Sequence, residues 1–129
     1  SLGKMAQTSL KFIKTLWGVT PEMGNCPDGY DRLFARIKSE GFGGIETPIS
    51  LVEDKEKFSA ALKKHNLDYV AMINTCTFSP DKASSKLEDH IASFRRLVQE
   101  AKTVNPIFIN AHSGRDSFSA DDADKYFTA

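Results

Sequence analysis

The chain has 129 residues, 40% of them hydrophobic and 26% charged, with 17 Lys and Arg balanced by 17 Asp and Glu. That composition excludes a disordered or fibrous chain, and the balance removes the positive field through which proteins collect nucleic acid or anionic lipid. Cys26 and Cys76 have neither zinc-site spacing nor the density of a disulfide scaffold, and no apolar run approaches the roughly 20 residues that cross a bilayer. Free thiols, a cytoplasmic location and no membrane or nucleic-acid partner are therefore expected. Residues 1–9 read as an N-terminal tail in which "SLGK" joins no pattern and Met5 reads as a native start; residues 10–129 read as one domain.

From Leu10 to Trp17, "LKFIKTLW" is rich in aromatic and branched residues and stops at Gly18, which predicts a first strand. Tyr30, Leu33, Phe34 and Ile37 then recur at helical spacing, with Gly41 placed as a left-handed cap. "GGIETP" predicts a short strand ended by Pro48, which lacks a backbone donor. Phe58, Ala61, Leu62 and His65 repeat the helical spacing with Asn66 as a cap, and Leu67 to Asn74 predict a third strand.

Ser85 and Glu88 stand in capping-box relation before the stripe Leu87, Ile91, Phe94, Leu97, Val98, Ala101 and Val104, which Asn105 and Pro106 stop. A fourth strand is expected over Ile107 to Ala111, and Ser119 with Asp122 opens a last helix whose Asp121, Asp122 and Asp124 suit its dipole. Alternating strands and helices imply an α/β fold with parallel strands and right-handed crossovers. Periodicity leaves an open doubly wound sheet and a barrel both standing.

"FIKTLWG", "SEGFGGIETP", "LKKHNLDYVAMIN" and "IFINAHSGRDSFS" resemble the xylose isomerase-like TIM barrel superfamily, which includes sugar and sugar-phosphate isomerases and epimerases, hydroxypyruvate isomerase and endonuclease IV. The resemblance implies half of a (β/α)8 barrel, about four βα units, because a complete barrel needs about 250 residues. It further implies metal-assisted proton transfer at an α-hydroxy carbonyl, with a divalent ion (Mn, Mg, Co or Zn) held by carboxylates and a histidine on later strands beyond this chain. On that reading the chain alone is an incomplete, inactive isomerase or epimerase.

In βα folds the loops after the strands share one rim, where ligands bind. Trp17, Glu46, Asn74 and His112 are expected at that rim, with Arg115 just past it, and inward-facing layers drawn from alternate strands would turn Glu46 and His112 toward one centre. Glu46 is suited to binding or deprotonation and His112 to polarising a substrate oxygen; Trp17 offers a stacking wall, and Asn74 and Arg115 offer contacts to hydroxyl or phosphate oxygens. A structural reading stands beside each: His112 holding its loop, Glu46 in an ion pair, Trp17 in the core. His65 and His90 lie on or beside helix stripes and are assigned no chemistry.

Two other functions remain open. A non-catalytic half-barrel would self-associate through its open strand edges into a closed barrel dimer. A zinc phosphodiesterase like endonuclease IV would need a basic stripe for a DNA backbone, which the neutral chain lacks.

Overall fold

The computed structural model describes residues 10–17, 29–76, 86–112, 114 and 117–129. In chain order it contains β1 (Ile13–Thr15), α1 (Gly29–Ser39), β2 (Gly44–Pro48), a 3-10 turn (Ile49–Leu51), α2 (Lys55–His65), β3 (Asp68–Ile73), α3 (Leu87–Lys102), β4 (Phe108–Ala111) and α4 (Ala120–Thr128). The four strands form one sheet in the order β1-β2-β3-β4, every neighbouring pair parallel. This is the α/β repeat expected, four units of the kind that build half of a (β/α)8 barrel.

The core shows which face the helices cover. Leu33, Phe34 and Ile37 of α1, Phe58, Ala61 and Leu62 of α2, and Leu97 and Ala101 of α3 cluster with Leu16, Ile45, Tyr69, Ala71 and Ile73. Side chains alternate along a strand, so these sheet residues share one face, and Ile13, Thr15, Glu46, Val70, Met72, Phe108 and Asn110 lie on the other. Among the described residues the helices cover one face only, as in the wall of a barrel, whereas a doubly wound sheet carries them on both faces. At the centre of the core Phe58 meets Tyr30, Phe34 and Tyr69 edge-on, at centroid distances of 5.3, 5.4 and 5.1 Å.

Both helix exits expected from the sequence are present. Gly41 has φ +91°, and the amides of Gly41 and Phe42 donate to the carbonyls of Lys38 and Ile37, capping α1. Asn66 adopts the same left-handed backbone at φ 50°, with Leu67 donating to Leu62. Ser119 caps α4 by accepting from the Asp122 amide at 3.1 Å. The amino-terminal ends of the strands are tied in sequence: Gly43 donates to Phe12, Asp68 to Gly43 and Ile107 to Tyr69, at 2.9, 3.0 and 2.8 Å.

Some bounds differ. β1 keeps three residues rather than the eight from Leu10 to Trp17, because it has a neighbour on one side only and Leu10 and Phe12 lie in solvent. α3 closes at Lys102, two residues short of Val104, where Asn105 turns left-handed at φ 55°. Lys86 takes its N-cap position without a side-chain capping bond, and Ser85 lies outside the described residues. No helix among the described residues is long and apolar enough to cross a membrane.

Candidate functional site

The face of the sheet away from the described helices begins at the two glycines of "GGIETP". A Cβ on Gly44 would stand 2.6 Å from Ile13 Cδ1 and 2.8 Å from the Asp68 carbonyl oxygen, so only glycine lets β1 and β3 close on β2 there. Two residues on, Glu46 projects from the same face. Its neighbour Thr47 is buried on the helix side, and the Thr47 carbonyl accepts from the Tyr69 hydroxyl at 2.9 Å. Burial pushes the Tyr69 phenol far above its ordinary pKa and keeps it a donor.

Strand register sets Glu46 level with Val70 and Phe108. Yet Glu46 Oε1 accepts a 3.0 Å hydrogen bond from Asn110 Nδ2, two residues further along β4. Two residues of offset over two strands suits the layering of an eight-stranded barrel, in which alternate strands such as β2 and β4 share a layer. Glu46 and Asn110 thus form one layer across this face.

Alternation puts Trp17, Asn74 and His112 on that face too, at the carboxyl ends of their strands. They do not stand level with Glu46. His112 is two residues past Asn110, roughly 7 Å along the strand, so Glu46 forms a floor and the other three a rim. Trp17 is 59% exposed and belongs to the rim rather than to the core. His112 is exposed and Asn74 half-buried, while Arg115 lies outside the described residues.

The rim is braced from behind. Thr75 and His90, both buried, share a 2.6 Å hydrogen bond between Oγ1 and Nδ1 that ties the end of β3 to α3, and the Phe118 ring stands edge-on to His90 at 5.1 Å. Gly114, at φ +96°, lies under that ring: a Cβ there would meet Phe118 Cε2 at 2.3 Å. The glycine of "HSG" is therefore a backbone requirement of the turn after His112. Phe94 and Tyr126 join α3 to α4 at 5.6 Å, and burial raises the Tyr126 phenol.

Asn110 has no role in the expectations above, although it stands two residues before His112 and is the one polar residue of β4. His65 bonds Asp31 at 2.7 Å on the outer helix layer, well removed from this face, in keeping with its structural assignment. A cleft of about 230 Å³ lies at the opposite end of the sheet, lined by Asp68, Asn105 and Ile107 among others.

A resident divalent ion would need about four ligands. Among the described residues no three His, Cys, Asp or Glu side chains converge, and Glu46 already engages one oxygen with Asn110. These residues do not fit such an ion by themselves.

Fold and face together define a parallel βα-repeat domain of half-barrel form with polar groups at the carboxyl ends of its strands. No protein-family model matches the chain, and no curated protein sequence matches it.

Proposed function

We propose that the chain is a sugar or sugar-phosphate isomerase- or epimerase-like domain whose Glu46 face binds an α-hydroxy carbonyl substrate. The observation that carries the reading is the Asn110–Glu46 hydrogen bond, which holds one carboxylate oxygen of Glu46 on the face that also carries His112. Moving a proton on carbon requires a positioned base and a donor to the enediolate oxygen. Glu46 supplies the base and His112 the donor, about 7 Å higher along the strands. Trp17 gives an apolar surface for the sugar face, and Asn74 and Arg115 bind hydroxyl or phosphate oxygens. The resemblance of "GGIETP" and "HSGRD" to the xylose isomerase-like superfamily supports the substrate class. No step is routed through a metal, because the residues present do not hold one.

A single wall binds without efficient turnover, so the test is binding. Two-dimensional NMR during titration with aldoses, ketoses and their phosphates is expected to shift the Trp17 indole, Asn74 amide and His112 ring signals, with Glu46→Gln and His112→Ala each weakening the response. Shifts confined to the cleft at the opposite end of the sheet, or none at saturating sugar, would overturn the assignment.

A further inference from the structure

The two flanks of the sheet remain to be explained. In a parallel sheet each residue directs its N–H and C=O to one neighbour, and successive residues alternate. The Leu16 amide donates to the Glu46 carbonyl, so Lys14 and Leu16 turn toward β2 while Ile13 and Thr15 present their backbone groups to the outer edge. The Asp68 amide donates to Gly43, which leaves Tyr69, Ala71 and Ile73 to bond β4; by the register Ala71↔Ile109, Ile109 and Ala111 then face outward on the far edge. Apolar side chains accompany both edges: Leu10 and Phe12 are 79% and 62% exposed at one, Phe108 and Ile109 71% and 40% at the other. Open strand edges flanked by exposed apolar side chains are sites of further pairing.

We propose that a second copy of this chain closes the sheet, the β4 edge of each protomer pairing in parallel with the β1 edge of its partner about a two-fold axis along the ring. Three observations select that occupant. The Glu46–Asn110 contact suits the layering of an eight-stranded ring, and two four-stranded copies supply eight strands. The edges are different from one another and both strands run the same way, so β4 to β1 is the pairing that a two-fold rotation repeats and closes. Charge agrees: the β1 flank carries Lys11 and Lys14 and no acid, while the β4 flank leads into α4 with Asp121, Asp122 and Asp124 against Lys125. Lys11 pairs with Asp68 yet keeps 53% of its side chain in solvent, so its charge is still available to a partner.

Closure changes the candidate site as well as the mass. The partner's Trp17 comes to stand beside His112, and the Glu46 face becomes one side of an enclosed chamber. This pairing follows from the edges and the layering, and holds whether or not the face binds a sugar.

Sedimentation and light scattering on the full chain test it. Wild type is expected at twice the 14.3 kDa chain mass, without larger species. Ile109→Pro removes a donor that faces outward and keeps the β3 ladder, so it is expected to give a folded monomer by circular dichroism. Phe108→Lys, which leaves the backbone unchanged, is expected to raise the dimer dissociation constant roughly tenfold or more. A wild type at single-chain mass into the millimolar range, an open series of higher species, or a dimer indifferent to a folded Phe108→Lys variant would each overturn the proposal. Should Ile109→Pro unfold, Phe108→Lys decides alone.

Discussion

Phe58 is the residue on which the helix layer converges, and replacing it tests the account of the core. Its side chain is fully buried and meets three aromatic rings edge-on, at 5.3, 5.4 and 5.1 Å. Truncating a buried phenylalanine to alanine costs about 3–5 kcal/mol through lost transfer energy and the cavity left behind. Each edge-to-face pair adds about 0.5–1.5 kcal/mol beyond area burial, and three such pairs put Phe58→Ala at the upper end, about 5 kcal/mol. Phe58→Leu keeps most of the apolar volume but loses the ring edges, which gives a cost of about 2 kcal/mol. Urea unfolding followed by far-ultraviolet circular dichroism measures both, at one fixed protein concentration because association would itself add stability. A domain of this size holds about 5–15 kcal/mol in total, so Phe58→Ala is expected to remove about a third of it or more. A loss below about 1.5 kcal/mol for Phe58→Ala, with an unchanged urea slope, would refute the cluster as the centre of the core.

Other perturbations act elsewhere in the fold. Hydrogen bonds from Lys64 and His65 hold the Asp31 carboxyl below its ordinary range, so their contribution is complete above about pH 4 and is lost as the pH falls through the lowered value. Thermal melts of Asp31→Asn should thus lie below wild type at neutral pH and converge with it in acid; a constant gap would contradict the clasp between α1 and α2. Gly44→Ala places a Cβ 2.8 Å from a backbone oxygen that cannot swing aside, and calorimetry should record a loss of about 1–3 kcal/mol. Thr75→Val strips the buried His90 Nδ1 of its 2.6 Å partner, for an expected cost of about 1–3 kcal/mol and weaker amide-exchange protection at the end of β3; unchanged protection there would deny the brace.

Local signals in the sequence located the elements well. The left-handed exits at Gly41 and Asn66, the Ser119 cap and the stripe of α1 depend on residues within one or two turns of each other, and each stands where spacing put it. Strand length was less legible, because β1 is limited by having one neighbour, a property of the sheet and not of "LKFIKTLW". Depth was hidden altogether. Glu46, expected at the rim, lies beneath it, and its partner Asn110 is 64 residues away in sequence, a pairing that no local spacing announces. Trp17 has the composition of a core residue, but its position past the end of β1 puts it in solvent.

The ties at the amino-terminal end, Gly43 to Phe12, Asp68 to Gly43 and Ile107 to Tyr69, have a wider consequence. Each incoming strand is docked on its predecessor before its first side chain enters the wall, so alignment is decided at the foundation of the molecule. Segments joining the opposite ends are thereby released from any duty to hold register. They can be lengthened or exchanged while the scaffold beneath keeps its shape.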